Sequence, residues 1–504
     1  MASNHPQQAT SIDATSPVPP VPPKPDEPYS IFDVRQKRII IFVVSTAATF
    51  SGFASNIYFP ALPAIADDLG VSVELVTLTV TAYLVFQGLA PSLWGPVSDV
   101  RGRRAAYCCT FAVFLGACVG LADARSYAAL VALRCLQSAG SASTIAIGSG
   151  VVGDVTTRDE RGGYMGVFQA GLLVPVAVGP VVGGALAGSL GWRSIFWVLA
   201  AYCAVFLAVL ALLLPETLRS AVGNGGRTPP SGFLARYPLS VYQRTTKVKW
   251  DRGAAAAAAA VQEAPKRIDV TGPIRILFSK RAAPIVVFLA TYYAVWQMSI
   301  TAMSSLFKSR YGLSDTHIGL TFIANGAGSM IGTLVTGRIL DADYRRVRAK
   351  HEADSGAEDG ACAPAARDFP IERARLRLVP VFSLLQCVSI AVFGWTVNFP
   401  GRVHMAVPIA STFVTGWTAV STQSLVMTYL VDVFPDRSAA ASASLNLARC
   451  LFAAGGTSFV MPMVNGIGVG WAFTACVAAQ IVALLGAGIQ WKCAGAWRRE
   501  EDGR

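Results

Sequence analysis

Two arginines lie inside long apolar segments of this chain, and their chemistry most needs an explanation. Arg134 lies in AALVALRCLQSAGSASTIAIGSGVVG, and Arg449 lies in NLARCLFAAGGTSFVMPM. If both segments span a bilayer, a charge at membrane depth costs at least ~2.5–3.5 kcal/mol. We therefore expect Arg134 to face a cavity, a partner or a substrate, with satisfaction by backbone carbonyls as the alternative. Arg449 lies nearer the end of its segment, where a long side chain can also reach the interface.

Carboxylates are missing from the middle of these apolar segments. Asp154 and Asp432 fall at segment ends. Two deep arginines without deep acids leave positive charge uncompensated, and an anionic substrate would supply the missing charge. The pattern favours organic anions over cationic drugs, and it leaves no obvious carboxylate to carry a proton.

The composition indicates an integral membrane protein. Of 504 residues, 53% are hydrophobic and 14% are charged, whereas a soluble domain carries about a quarter charged residues. Twelve apolar segments are long enough to span a bilayer at about 20 residues each. The predicted spans fall, in two groups of six, at roughly 39–64, 74–97, 105–123, 127–152, 163–189, 194–214, 283–305, 317–339, 377–398, 404–431, 440–465 and 471–491.

The distribution of lysine and arginine predicts the orientation. The connection after the second span carries Arg101, Arg103 and Arg104, and 215–281 carries twelve Lys and Arg against four acids. Because cytoplasmic connections are enriched in Lys and Arg, we expect both termini in the cytosol. The predicted organisation is a disordered cytosolic tail at 1–34, a six-helix bundle at 35–214, a cytosolic linker at 215–282, a second bundle at 283–492 with a loose cytosolic insertion at 341–376, and a cytosolic tail at 493–504.

The two halves resemble each other in sequence. The second span ends in GPVSDVRGRR at 95–104, and the eighth ends in GRILDADYRR at 337–346. A weaker echo relates Leu133-Arg134-Cys135-Leu136 to Ala448-Arg449-Cys450-Leu451. Repeated halves with a site between them predict transport by alternating access.

Several motifs, in order along the chain, resemble those of the major facilitator superfamily. They are GPVSDVRGRR at 95–104, Leu133-Arg134 with Gln137 and Gly140, the glycines around Gly179-Pro180, and LPETLR at 214–219. Longer stretches, such as NIYFPALPAIADDLG at 56–70, resemble the fungal twelve-helix drug:proton antiporter family, closest to its quinidine-resistance and acid-resistance type. The resemblance implies an all-α membrane protein with the major facilitator fold, twelve transmembrane helices in two pseudo-symmetric six-helix bundles.

The residues expected to act in transport form two sets. Polar, aromatic and basic side chains of the spans are candidates for the substrate and proton pathway, namely Asn56, Tyr58, Gln87, Arg134, Gln137, Gln169, Tyr293, Gln297, Gln423 and Arg449. A second set is expected to gate the cytosolic side or to bend helices, namely Gly95, Asp99, Gly102, Arg103, Arg104, Asp154, Glu160, Arg161, Gly179, Pro180, Gly183 and Gly184. The carboxylates of this set would bridge to its basic residues or to a helix end and hold the cytosolic side shut. The alternative is that the basic residues serve only as a positive-inside topology signal.

The leading hypothesis is secondary active, proton-coupled export of a small organic acid or anionic metabolite. The alternatives are a polyspecific drug:proton antiporter and, from another class, a non-transporting membrane sensor. An enzyme or ATP-driven pump is not predicted, because the sequence has no P-loop. Four scattered histidines and the lack of a C-x-x-C pair argue against a metal site, and no cofactor or nucleic acid is expected. The expected setting is a monomer in the plasma membrane, with the vacuolar membrane as the alternative.

Overall fold

The computed structural model describes residues 29–172, 174–225, 272–356, 371–434 and 438–502. The predicted tail up to residue 28, most of the predicted linker, and 357–370 of the insertion lie outside these ranges. The long helices are α1 (Val34–Asn56), α2 (Val73–Arg101), α3 (Arg103–Ala122), α4 (Tyr127–Ser141), α5 (Ser143–Val155), α6 (Arg158–Gly171), α7 (Val174–Leu190), α8 (Arg193–Leu213), α9 (Ala283–Tyr311), α10 (Asp315–Gly356), α11 (Val379–Asn398), α12 (Ala406–Val433), α13 (Ser438–Ile467) and α14 (Val469–Asp502). Short helices cover Leu62–Leu69, Arg219–Val222, Gly272–Leu277 and Ile371–Leu376, and a 3₁₀ turn covers Phe59–Ala61.

All twelve predicted spans are helical. Within the described residues, ten helical segments are long and apolar enough to cross a membrane. The remaining two spans are the fifth, formed by α6 and the apolar α7, and the tenth, formed by the 28-residue α12. The many Ser and Thr residues of α12 lower its mean hydropathy. The expected all-α, twelve-helix membrane fold is therefore confirmed.

Proline and hydroxyl side chains interrupt two of the spans. After α1 ends at Asn56, Pro60 and Pro63 occupy early positions of the 3₁₀ turn and of Leu62–Leu69, where proline is tolerated in a helix. The fourth span divides into α4 and α5 at Ala142. Thr144 Oγ1 donates to the Ser141 carbonyl at 2.7 Å beside this break, and such side-chain bonds to the preceding turn often bend helices.

The prediction of a loose insertion at 341–376 is wrong for its described part. Helix α10 continues to Gly356, well beyond the predicted end of the span at 339, and Ile371–Leu376 is also helical. The sequence DADYRRVRAKHEAD places opposite charges four residues apart, as at Asp341 and Arg345, a spacing that supports a helix. Helix α14 similarly runs to Asp502, through most of the predicted C-terminal tail.

Most of the described interactions between the two halves lie along α2 and α7. On α2 they run from Glu74 to Gly88, and their partners on α13 run from Asn465 back to Asn446. The hydrogen bonds are Asn465 Nδ2 to Glu74 Oε1 at 2.5 Å, Thr81 Oγ1 with Ser458 Oγ at 2.9 Å, and Asn446 Nδ2 to the Gln87 carbonyl at 3.4 Å. Lys308 also pairs with Asp67 across the halves, at 2.9 Å. The contacts of α2 with α13 lie in the part of α2 that is remote from the basic residues Arg101, Arg103 and Arg104.

Glycines on α7 allow close approach on two sides. A Cβ at Gly183 would overlap the Ile57 carbonyl of the same half, and a Cβ at Gly179 would lie 3.3 Å from Asn56 Cβ. A Cβ at Gly184 would lie 2.9 Å from the Cα of Gly319 on α10, in the other half. Small residues therefore bring α7 against the end of the first span and against α10, as expected for helix packing in membranes. Pro180 lies within the same helix.

Adding one methyl group at Gly183 should destabilise the fold. We expect Gly183→Ala to lower the apparent Tm of the purified protein, because overpacking a tight contact costs about 1–3 kcal/mol. Gly166→Ala is the matched control, since Gly166 lies in helix α6 with open space around its Cα. An unchanged Tm for Gly183→Ala would contradict the close packing of α7.

Candidate functional site

Arg134 is enclosed by the N-terminal half. Its side chain is 1% exposed, and its Nη1 donates to the Ala54 carbonyl at 3.1 Å and to Gln137 Oε1 at 2.6 Å. The guanidinium lies over the rings of Tyr58 and Tyr83, at 4.2 and 4.3 Å from their centroids. The charge faces aromatic rings and carbonyl oxygens and not lipid, as cation–π contact and hydrogen bonding require. Its Nε is buried without a hydrogen-bond partner.

The residues around Arg134 are themselves fixed by hydrogen bonds. The Tyr58 hydroxyl pairs with Thr79 Oγ1 at 2.8 Å, and the Tyr83 hydroxyl pairs with Ser141 Oγ at 3.0 Å. Gln137 Nε2 donates to Cys118 Sγ at 3.2 Å. These contacts join the first four spans around one cation, so this arginine is held by its own half on every side.

Arg449 has a different environment. Its guanidinium is half-buried on α13, and its Nε and Nη2 both donate to Asn446 Oδ1 at 3.1 and 2.9 Å. It lies 4.9 Å from the ring centroid of Tyr293. Asn446 also reaches the main chain of Gln87, whose own Oε1 is buried without a partner. Arg449 therefore lies where α2 and α13, from different halves, meet.

Within the described residues, neither arginine forms an ion pair with a carboxylate. Both are bound by neutral groups, an amide oxygen and, for Arg134, a carbonyl. Neutral partners leave the positive charge in place. The positive charges of Arg134 and Arg449 therefore have no compensating carboxylate among the described residues, as the sequence predicted.

The other predicted pathway residues are not gathered around either arginine. Asn56 is half-buried and donates to the Gly52 carbonyl at 2.8 Å. Gln297 is buried on α9, and Gln423 is half-buried on α12. The side chain of Gln169 lies outside the described residues. Of the ten predicted residues, the structure joins Tyr58 and Gln137 to Arg134, and Tyr293 and Gln87 to the surroundings of Arg449.

The predicted gating residues Asp99, Arg103 and Asp154 do come together. Arg103 Nη1 lies 2.5 Å from Asp99 Oδ1, and its Nε lies 3.0 Å from Asp154 Oδ2. Both Arg103 and Asp154 have side chains only 13% exposed, whereas Asp99 is 57% exposed. Because Arg103 is the first residue of α3 and Asp154 is near the end of α5, this cluster ties together the ends of three spans that the sequence predicts to be cytosolic.

Glu216 completes the cluster, although it is not among the predicted gating residues. This buried carboxylate accepts hydrogen bonds from the backbone N–H groups of Arg103 (2.8 Å), Arg104 (3.2 Å), Thr217 (3.0 Å) and Leu218 (3.0 Å). Two of these are unsatisfied donors at the start of α3, where a negative charge is favoured. Gly102 has a φ of 105°, and a Cβ there would overlap the carboxylate. The sequence signal for Glu216 was the LPETLR motif.

Arg104 binds the C-terminus of a helix, whereas Glu216 binds the N-terminus of one. Its buried guanidinium donates to the carbonyls of Leu214 at 3.0 Å and Ala211 at 2.6 Å, at the C-terminus of α8. Cations are favoured there by the helix dipole. Arg104 therefore fixes the sixth span against the third and belongs to the same assembly as Glu216.

Two expectations about gating need correction. Glu160 pairs with Lys37 at the start of α1 and not with Arg103, and this ammonium donor holds the pKa of the Glu160 carboxyl below its ordinary value. The side chain of Arg161 lies outside the described residues, and open space surrounds Gly95. The Asp99–Arg103–Asp154–Glu216 cluster lies entirely within the N-terminal half, so in this conformation it does not bridge the two halves.

Comparisons with known proteins agree with this architecture. Residues 44–457 match the Major Facilitator Superfamily. The chain is 37% identical to "Citrate exporter 1" of Aspergillus niger over 441 residues, covering 87% of this chain and 82% of that protein. It is 34% identical to "Multidrug transporter QDR2" of Candida glabrata over 467 residues, covering 88% and 78%.

A solved structure supports the fold alone. The xylose transporter XylE of E. coli, in a partially occluded inward-open conformation, superposes with a TM-score of 0.62 at 14% identity, covering 91% of this chain and 98% of that one. The helical architecture, the apolar spans and the sequence match agree with one another. The chain is a multi-pass membrane protein and belongs to the Major Facilitator Superfamily.

Proposed function

We propose that this protein is a secondary active exporter that moves a small organic acid or another anionic metabolite out of the cytosol by alternating access. The observation that carries the proposal is the pair of span arginines that lack a carboxylate partner within the described residues. A bound carboxylate would neutralise such a charge through charge-assisted, bidentate hydrogen bonds. An anion therefore suits this interior better than a cation does.

Of the two arginines, Arg449 is the better placed to bind substrate. Its guanidinium is half-buried, it lies where the halves meet, and both of its described hydrogen bonds go to one amide of its own helix. An arriving carboxylate can replace that amide without breaking the fold. Tyr293 lies beside this site and would contact the rest of the substrate, and the main chain of Gln87 is within hydrogen-bond reach of Asn446.

Arg134 supports the site from within its own half. Full enclosure by Tyr58, Tyr83 and Gln137 gives an anion no direct access to its guanidinium in this conformation. Its positive charge still acts through a medium of low dielectric constant. Arg134 thus fixes the geometry of four spans and raises the electrostatic potential for an anion.

The names of the relatives support export, but they indicate different substrates. One is called a citrate exporter and another a multidrug transporter, at 37% and 34% identity. Polyspecific drug:proton antiport is therefore the second candidate function. The unpaired arginines favour the acid, because a cationic drug would add positive charge beside them.

Gradients must supply the work. We place the protein in the plasma membrane as a monomer, with protons as the coupling ion. An inside-negative membrane potential also drives anions outward, by about 2.3 kcal/mol per charge per 100 mV. Inward movement of protons and outward movement of anions carry charge in the same direction, so the potential assists both.

The proposed moving bodies are the six-helix bundles at 35–214 and 283–492, on the two sides of the linker at 215–282. The N-terminal body keeps its cytosolic ends together through Asp99, Arg103 and Asp154, with Arg104 and the linker residue Glu216 as further ties. Gly179, Pro180, Gly183 and Gly184 allow α7 to pack and tilt against α1 and α10. Gating then means movement of whole bundles and not the opening of one ion pair.

Replacing Arg449 should weaken substrate binding. We expect Arg449→Ala to raise the KM for export of a labelled organic acid such as citrate by about tenfold or more, the effect of losing one charge-assisted bond. Arg449→Lys should recover part of the affinity, because it keeps the charge and loses the planar fork. Export is measured in cells and divided by the amount of protein at the surface.

Arg402→Ala is the matched control for Arg449, since Arg402 is exposed in the connection before α12. It should leave the KM unchanged. Normal KM and rate for Arg449→Ala would remove Arg449 from the binding site. If lipophilic cations are exported and acids are not, the drug antiporter is the correct reading.

Removing the Glu216 carboxylate should loosen the cytosolic end of the N-terminal half. Glu216→Ala leaves several buried N–H donors without an acceptor, at about 1–3 kcal/mol for a buried unsatisfied group. We expect a lower apparent Tm, with partial recovery in Glu216→Gln, which keeps an acceptor oxygen. Asp123→Ala, at an exposed site, serves as control, and a Tm for Glu216→Ala equal to that of the control would contradict the capping role.

A further inference from the structure

Asn325 on α10 joins three spans of the C-terminal half, and it is not among the predicted site residues. Its side chain is only 3% exposed, and its Oδ1 accepts a hydrogen bond from Trp296 Nε1 on α9 at 3.1 Å. Its main-chain carbonyl accepts one from Ser329 Oγ at 2.9 Å. On α12, a Cβ at Gly416 would overlap that carbonyl and would lie 2.7 Å from Oδ1. The amide of Asn325 therefore lies where α9, α10 and α12 meet.

Glycines hold α10 tightly against α12 on the same side. A Cβ at Gly328 would overlap the Phe413 carbonyl, and a Cβ at Gly332 would lie 2.7 Å from the Trp417 carbonyl. Asn325, Gly328 and Gly332 are spaced by three and four residues, so they lie on one face of α10. Glycine at this spacing lets helices in a membrane approach closely. The packing of α10 on α12 therefore fixes the position of the Asn325 amide.

Trp296 connects this fixed amide to the proposed substrate site. Its indole is 8% exposed and packs edge-to-face against Tyr293, with ring centroids 5.5 Å apart and an interplanar angle of 78°. Tyr293 is half-buried and lies under the Arg449 guanidinium, at 4.9 Å from its ring centroid. Edge-to-face contacts depend on the orientation of both rings. The hydrogen bond from Trp296 to Asn325 thus sets the orientation against which Tyr293 packs.

The position of Tyr293 matters because Arg449 has few described neighbours. Both of its hydrogen bonds go to Asn446 of its own helix, and Tyr293 supplies its described contact from another span. A shift of the Tyr293 ring would therefore change the shape of the site and the direction in which the guanidinium points.

We propose that Asn325 and Trp296 are positioning residues, which hold the Tyr293 ring in place for a substrate bound at Arg449. The inference rests on the proposed function for its substrate site. Asn325 acts on Trp296 through the hydrogen bond, and Trp296 acts on Tyr293 through the ring contact. Both side chains are buried, so they act through Tyr293 and do not contact substrate themselves.

Breaking the hydrogen bond from either side tests this role. Trp296→Phe keeps an aromatic ring and loses the donor, and Asn325→Ala loses the acceptor. Each should raise the KM for export of a labelled organic acid by about threefold to tenfold, the effect of one lost hydrogen bond. The maximal rate per surface molecule should stay within about twofold. Because both changes break one bond, the double variant should be no worse than the more severe single variant.

Trp395→Phe is the matched control. Trp395 Nε1 also donates a hydrogen bond, to Thr474 Oγ1 at 3.2 Å, between α11 and α14. Removing this indole N–H should leave the KM unchanged. A normal KM in both Trp296→Phe and Asn325→Ala would overturn the positioning role.

The route through Tyr293 has its own test. In a Tyr293→Ala background, Trp296→Phe should not raise the KM further, because the ring that it positions is gone. A further rise as large as in the wild-type background would show that Trp296 acts by another route, and it would overturn the proposal.

A second readout does not depend on the substrate. In fluorine NMR of the purified protein labelled with fluorotyrosine, the Tyr293 signal is assigned by its loss in Tyr293→Phe. This signal should shift in Asn325→Ala and stay in place in Trp395→Phe. An unmoved Tyr293 signal in Asn325→Ala would overturn the proposal. Failure of the wild type to export acids refutes the proposed substrate instead, and leaves this measurement valid.

Discussion

A guanidinium that lies among membrane-spanning helices must be surrounded by groups that replace water, and much of the N-terminal half follows from this constraint. Arg134 is met by a carbonyl of the first span, an amide of its own span and two tyrosine rings. Each tyrosine is in turn held by a hydroxyl from a neighbouring helix. One charge thus specifies how four spans pack. A buried polar network of this kind specifies a single arrangement of the helices, which apolar packing alone does not.

Most of the described buried charges tie spans together within the N-terminal half, whereas glycines and a few polar pairs, such as Lys308 with Asp67, join the two halves. Ionic and capping interactions at the predicted cytosolic ends, such as Arg103 with Asp154 and Glu216 with the start of α3, lie within one half. Close contacts between the halves involve glycine, as at Gly184 and Gly319. Helices in contact through glycine can slide or tilt without breaking many directional bonds. A buried ion pair, in contrast, must break its directional hydrogen bonds when the helices move. The arrangement therefore suits two stiff bodies that move against each other.

The sequence was sufficient for the spans and for the arginines, because apolar length and an isolated charge are local features. It was insufficient for pairs formed between distant residues. Glu216 and Arg103 are 113 positions apart, and Trp296 and Asn325 are 29 apart, so nothing in their local sequence shows that they meet. The different exposure of Arg134 and Arg449 likewise depends on which aromatic rings fold over them. The helix at the end of α10 was missed because mixed charge was read as a loop, although its spacing supports a helix.

The central claim is that the interior accepts an anion. It is tested most directly by efflux from proteoliposomes that contain the purified protein and are loaded with labelled di- and tricarboxylates or with a labelled lipophilic cation, under a potential that drives each of them outward. We expect protein-dependent efflux of a carboxylate, faster than from protein-free liposomes, and no such acceleration for the cation. Accelerated efflux of the cation with none for any carboxylate would contradict it.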